Sequence, residues 1–354
     1  MRLILLENLT AGMILAKTIY ASDGTILLAK GADLRPQYIQ RLKNLEIGSL
    51  YIEDDISQGI DVQDVIHEAT RMDAVNAVRS IVSNSTLGKT VNGAQAKAYA
   101  NKIVDDLFHA KDVLINMTDL RTKSDYTFCH MVNVAVLSIV TGVALGYDEL
   151  KLRDLGVGAL LHDLGKVKID EDIYNKPDRL TDEEFAEIKT HSEQGFEILR
   201  KVSEISTLSA HVAFQHHERF DGTGYPRNLK GQDIHEFARI VALADVYDAL
   251  TASRPYRKAM MPYHAVEYLT AMAGSQFDPV LTEKFIDHIA VYPAGSIVEL
   301  NTLQKAIVVS VDKVTKTRPL VRVFMDEHGK RLEKLIDVDL RSKPTLFINR
   351  VVEE

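Results

Sequence analysis

The sequence predicts a mainly α protein: one large helical unit, preceded by a small α+β module and followed by a small β-rich module. Three observations carry this. Apolar residues recur at three- and four-residue spacing through most of residues 58–290. Before that stretch, short strand-like runs are separated by turn residues, and after it β-branched runs take over. The units are therefore expected at 1–57, 58–290 and 291–354.

In the first module, Thr18-Ile19-Tyr20 and Ile26-Leu27-Leu28 flank Ala21-Ser22-Asp23-Gly24, whose Asp-Gly pair predicts a hairpin. Residues 36–45 carry Ile39, Leu42 and Leu45 on one side and predict a helix, and 48–52 a closing strand. In the helical unit, Val62, Val65, Ile66, Ala69, Met72 and Val75 repeat at helical spacing, as do Ala100, Ile103, Val104 and Leu107. Ser83-Asn84-Ser85 and Asn92-Gly93 break that run. These leading helices (60–114) precede a core at 115–290, with helices expected at 127–146, 150–163, 182–202, 205–217, 234–252 and 263–273. In the last module, 296–300, 306–311, 320–325 and 345–349 predict strands, with a turn at 326–329. A partly closed barrel that caps the helices is the expectation.

Lys and Arg number 42 against 50 Asp and Glu, a formal charge of −8, which argues against broad binding to a nucleic-acid polymer or an anionic membrane. A phosphate-bearing ligand would need a locally basic pocket. The single cysteine, Cys129, excludes an intrachain disulfide and suits a reducing interior. No apolar run is expected to reach the roughly 18 residues of a membrane span, and the apolar start is too short for a signal peptide. A cytoplasmic protein is expected. The amphipathic 60–110 region could pack locally or pair two chains as a homodimer.

The chemistry is concentrated between residues 130 and 245. His162-Asp163-Leu164-Gly165-Lys166 closes an apolar run with an imidazole beside a carboxylate, a pair suited to a divalent metal, and a lysine one turn on that can meet a phosphate. His130, His191, His216, His217 and Asp245 lie on or at the ends of other predicted helices. Any one of these histidines alone is more simply a capping or solvent-facing residue. Asp163 and Asp245 are read as lying in apolar helices, where an unpaired carboxylate is costly, so a shared metal site is the simpler account.

The ordered series resembles the HD superfamily of metal-dependent phosphohydrolases, and its HD-GYP branch of cyclic-dinucleotide phosphodiesterases. The residues that carry the resemblance are 126–134 around His130, His162-Asp163-Leu164-Gly165-Lys166, Asn175-Lys176-Pro177 leading to Lys189-Thr190-His191, and His216-His217-Glu218 with Asp221-Gly222-Thr223-Gly224-Tyr225-Pro226. It continues to Asp245, Asp248-Ala249-Leu250-Thr251 and Arg254-Pro255-Tyr256-Arg257. The resemblance implies an all-helical HD-type domain, and His130, His162, Asp163, His191, His216, His217 and Asp245 as ligands of two divalent ions. Asp163 would bridge them, and His217 is the weakest assignment. Iron or manganese suits a set without thiolate better than zinc. Tyr126 stands where some members of the branch carry a glutamate that supports a third ion.

The activity so implied is hydrolysis of cyclic di-GMP to linear pGpG and on towards GMP, by a hydroxide shared between the ions. Asp163 and Lys166 would be catalytic, while Gly222, Gly224, Tyr225, Asp248, Arg254 and Arg257 would bind the substrate. Glu218 is read either as an acceptor orienting an imidazole or as solvated. Two alternatives stand beside this: another cyclic dinucleotide or nucleotide as substrate, or a receptor that binds the dinucleotide with little turnover.

Overall fold

The computed structural model describes residues 1–21, 25–45, 47–108, 114–115, 126–174, 176, 178–252 and 259–352. In the first module, β1 (Arg2–Leu5), β2 (Ile14–Leu15), β3 (Ile19–Tyr20) and β4 (Ile26–Leu28) precede α1 (Pro36–Asn44) and β5 (Ser49–Glu53). β5 lies between β1 and β2 in an antiparallel sheet, and β3 pairs with β4. The Asp-Gly turn between β3 and β4 lies outside the described residues. Ile39 and Leu42 of α1 pack onto Ile4, Leu15, Leu50 and Ile52.

The helical unit comprises α2 (Glu68–Thr86), α3 (Gly93–Leu107), α4 (Tyr126–Ala144), α5 (Glu149–Leu160), α6 (Glu171–Tyr174), α7 (Asp182–Lys189), α8 (His191–Leu199), α9 (Thr207–Gln215), α10 (Glu236–Thr251), α11 (Pro262–Ala271) and α12 (Pro279–Ile286). Side-chain oxygens start several of them: Asn92 caps α3, Asp148 caps α5, and Thr181 forms a capping box with Glu184 at α7. The helix expected at 182–202 is two, broken at Thr190. α12 was not expected, although Asp278 followed by Pro279 is a helix start.

One apolar core runs through these helices, and it takes in Val75, Val78, Ile81, Ala100 and Ile103 of α2 and α3. The apolar face of the 60–110 region is therefore spent within the chain. Residues Thr127–Ala144 of α4 are long and apolar enough to cross a membrane, contrary to expectation, but 72% of that stretch is buried inside the protein. It is the central helix of the core, and burial explains its composition.

The last module is an antiparallel sheet in the order β10 (Ile348–Val351), β6 (Ile297–Leu300), β7 (Lys305–Ser310), β8 (Leu320–Met325), β9 (Arg331–Asp339). β9 escaped the sequence reading because its side chains are mostly exposed or half-buried, so no apolar run marks it. Much of the module's packing goes to residues 51–62, which close the first module and lead into the helices. Ile307 and Ala294 meet Tyr51, Ile60 and Val62, while Ile297 and Phe324 meet Ile56. Arg322 Nη1 donates to the carbonyls of Ile56 and Gln58.

Asp278 ties α12 to α10: it accepts from the Val280 and Leu281 amides and forms a buried ion pair with Arg239. Asp278→Ala removes the cap and leaves a guanidinium without its partner, so a loss of about 3 kcal/mol is expected. Urea unfolding of the full chain measures it, and an unchanged midpoint would contradict it.

Candidate metal centre

Three helices end where a histidine follows, and that repeated ending builds the site. The last carbonyls of a helix have no partner within it. His162 Nδ1 donates to Ala159 O of α5 at 2.8 Å, and His191 Nδ1 to Ile188 O of α7 at 2.6 Å. His216 Nδ1 reaches Val212 O and Ala213 O of α9 at 3.1 and 3.0 Å. A carbonyl only accepts, so each Nδ1 carries a proton, and Nε2 is the nitrogen each ring has left for a ligand. The break at Thr190 now has a reason: it sets His191 just past the end of α7.

His130 is aimed differently. It lies on α4, and its Nδ1 donates to Asp248 Oδ2 at 2.7 Å. Asp245 lies one turn before Asp248 on α10, on the same face, with Oδ1 3.1 Å from His130 Nε2.

The ligand-type side chains fall into two groups. Asp163, His191, His216 and His217 form one, and His130, His162 and Asp245 the other, each with atoms within 4.8 Å of one another. Asp163 faces both. Its Oδ1 is 3.5 Å from His191 Nε2 and 3.8 Å from His216 Nε2, while its Oδ2 is 3.5 Å from His162 Nε2 and 3.9 Å from His130 Nε2. Asp163 itself sits not in an apolar helix, as expected, but in the turn between α5 and a 3-10 segment, Leu164–Lys168.

Burial lowers the pKa of His191 and His216 and pushes that of His217 down to about 3, so these rings are neutral. Burial opposes ionisation of Asp163 and Asp245, yet both lie well below the usual carboxylate range. For Asp163 the charge of Lys166 outweighs burial, and for Asp245 the hydrogen bond and charge of His130 do so. His130 is the exception: burial works to lower its pKa, but Asp245 and Asp248 raise it to about 9.

These residues fit a divalent cation. His162 Nε2 is buried without a hydrogen-bond partner, and His191 Nε2 and His216 Nε2 face each other at 3.4 Å. Two lone pairs pointed together are unfavourable unless a cation lies between them. Imidazole and carboxylate without thiolate is a donor set for a borderline or hard ion.

Lys166 Nζ donates to Asp163 Oδ2 at 2.5 Å. Burial would lower its pKa, but Asp163 and Tyr174 hold it above the ordinary lysine value, so it is a fixed cation.

One expected substrate contact takes another place. Asp248 is buried, with Oδ1 accepting from Asn133 and Oδ2 from His130, so it faces the back of a histidine rather than a ligand. Glu218 neither orients an imidazole nor is solvated: it is buried and accepts from the Arg227 and Leu229 amides, closing the 218–229 loop. Gly222 adopts φ +86°, and Gly224 fits closely against its own chain, since a Cβ there would lie 2.6 Å from His217 O. Tyr225 follows, its ring 4.7 Å from that of His217. Arg254, Arg257, Asn175, Pro177 and the side chain of Tyr126 lie outside the described residues.

Sequence reasoning missed Gly165. A Cβ there would lie 1.9 Å from His191 O and 2.5 Å from Gly195 N, so the 3-10 segment and α8 touch backbone to backbone. It also missed the walls of the cleft of about 550 Å³ above His216, His217 and Asp245, where Phe185, Lys189, Arg219 and Gln276 stand beside Tyr225.

The chain matches the family described as HD domain over residues 108–281, and the family described as KOW domain associated with HD domain over residues 297–354. It is 33% identical over 256 residues to a cyclic di-GMP phosphodiesterase of Pseudomonas aeruginosa, covering 72% of this chain and 61% of that one. It is 35% identical over 190 residues to 3'3'-cGAMP-specific phosphodiesterase 2 of Vibrio cholerae, covering 53% of this chain and 36% of that one. The chain thus spans less than two thirds of the length of these curated relatives. The structure of an HDG"Y"P protein from Bdellovibrio bacteriovorus superposes with a TM-score of 0.51, over 80% of this chain and 98% of that one, at 21% identity. That likeness is one of fold.

Gly165→Ala sets a methyl group against main-chain atoms on another helix, and such overpacking costs about 3 kcal/mol or more. Denaturant unfolding should show that loss; full retention of stability would mean that the two backbones can part easily.

Proposed function

The chain belongs to the HD-domain family, in its HD-GYP branch, and from that membership we propose that it is a metal-dependent phosphodiesterase of cyclic dinucleotides, with cyclic di-GMP as its substrate. The observation that carries this reading is the divided carboxylate of Asp163, one oxygen towards His191 and His216 and the other towards His162 and His130. A carboxylate so placed suits two ions, which we read as iron or manganese from the absence of thiolate. His130, His162 and Asp245 would hold one and His191, His216 and His217 the other, with Asp163 common to both.

Bound divalent ions supply charge stabilisation of phosphoryl oxygens and a nucleophile at neutral pH. The chain's own residues do the rest. The carbonyls of α5, α7 and α9 hold the Nδ1 protons of His162, His191 and His216 and so aim the three Nε2 atoms. Lys166, cationic and next to Asp163, is placed to take up charge on a phosphoryl oxygen of the transition state. The cleft is within the size range of small-molecule sites, about 300–1,000 Å³.

A cyclic dinucleotide carries two phosphates, and only one can lie at Asp163. Lys189 lines the cleft with no carboxylate in ion-pairing distance among the described residues, and the Phe185 ring beside it is 48% exposed. That pair suits the second phosphate and a base. The Vibrio cholerae relative favours a second reading, in which the substrate is 3'3'-cGAMP.

Incubating the full chain, replete with iron or manganese under anaerobic conditions, with each cyclic dinucleotide decides between these readings. Linear dinucleotide from cyclic di-GMP is expected; product from neither would overturn the enzyme reading, and product from cGAMP alone would select the second. Metal analysis should give two ions per chain, and three would correct the site. Asp163→Ala should lose both turnover and retained metal, and near-parental turnover would show the assignment to be wrong.

A further inference from the structure

A line of hydrogen bonds leaves the metal centre by its far side and ends on a helix that precedes the matched HD domain. His130 Nδ1 donates to Asp248 Oδ2 at 2.7 Å, Asn133 Nδ2 donates to Asp248 Oδ1 at 2.6 Å, and Arg71 Nη1 of α2 donates to Asn133 Oδ1 at 2.8 Å. Asn133, Asp248 and His130 are all buried, and Arg71 is partly so, its side chain 21% exposed.

The order of donors and acceptors along this line is forced. A guanidinium can only donate, so it must meet the amide oxygen of Asn133. With that oxygen held, the Asn133 NH2 group points to Asp248. A carboxylate can only accept, so Asp248 receives Asn133 on one oxygen and His130 on the other. If the amide were turned round, two acceptor oxygens would face each other at 2.6 Å in a buried place, which is costly. Asp248 and Arg71 thus hold Asn133 the same way round from its two ends, and Arg71 braces from outside the amide that fixes the carboxylate behind His130.

We propose that Arg71 and Asn133 are positioning residues of the metal centre, so that α2, outside residues 108–281, is a working part of it. The inference rests on reading His130 as a metal ligand. α2 also packs against the 3-10 segment that follows Asp163, so it touches both sides of the site. Groups that orient a ligating histidine typically change metal affinity by about 10-fold to 100-fold when lost.

The test uses the metal-free full chain and its variants Arg71→Met, Arg71→Lys and Asn133→Asp. Mn²⁺ affinity is measured by calorimetry, and thermal melting of the metal-free chains serves as the control for folding. Arg71→Met should bind Mn²⁺ about tenfold more weakly, and Asn133→Asp, which sets a second carboxylate against Asp248, up to about a hundredfold more weakly. Arg71→Lys, which can still donate to Asn133, should recover part of the loss. A merely structural role would lower the melting temperature without this order of affinities.

Parental affinity in Arg71→Met would overturn the proposal. If that variant did not fold, parental affinity in Asn133→Asp would do the same. Nitrogen-15 NMR of the histidines in the metal-free chain reads the line without an ion: the His130 Nδ1 proton signal should shift in Arg71→Met, and an unmoved signal would again overturn the proposal. A parent chain that bound no ion would instead sink the reading of the site as a metal centre, and the NMR result would still decide whether Arg71 orients His130.

Discussion

The site depends on carbonyls that helices cannot satisfy themselves. α5, α7 and α9 each end with carbonyl oxygens that the helix itself does not fully satisfy, and each is followed by a histidine whose Nδ1–H reaches one of them. One hydrogen bond thus completes a helix end, fixes a tautomer and directs a lone pair. Without it, a buried imidazole could offer a proton where a metal needs an electron pair. The helical core therefore brings the histidines together and also sets their chemical state.

The same constraint explains the burial of charge. Asp163 and Asp245 stay ionised in an apolar core because a cationic, hydrogen-bonding group stands beside each, Lys166 in the first case and His130 in the second. His130 differs from the other rings in having a carboxylate, not a carbonyl, behind it. Asp248 gives it more basicity than a peptide oxygen would, and Asn133 and Arg71 keep that carboxylate in place.

Much of this was legible in the sequence, and what was not has physical reasons. The helical unit announced itself through spacing, and the ligand-type residues through polar side chains set in apolar runs. Partners across the core do not announce themselves. Asp248 was expected as a substrate contact from the resemblance, and only the fold shows His130 and Asn133 on its two oxygens. Glu218 looked like a neighbour of His217, whereas its carboxylate serves amides nine and eleven residues on. The break at Thr190 falls within residues 189–194, which hold no apolar residue, glycine or proline, so neither spacing nor a breaker residue marked its place. β9 lacked an apolar run, and α12 was marked only by its Asp-Pro start. The last module was expected to cap the helices, but β-branched runs say nothing about which neighbour they will meet. Ile56, Ile60 and Val62 proved to be that neighbour's surface.

The contact of Gly165 with His191 and Gly195 has a genetic corollary. Most tight spots in a core can be relieved from the other side, because a bulky side chain facing a new methyl group can be exchanged for a smaller one. At Gly165 the facing atoms are a peptide oxygen and a peptide nitrogen, which every residue possesses. A mutation there has no complementary partner elsewhere in the chain, and selection for recovered function should return glycine itself.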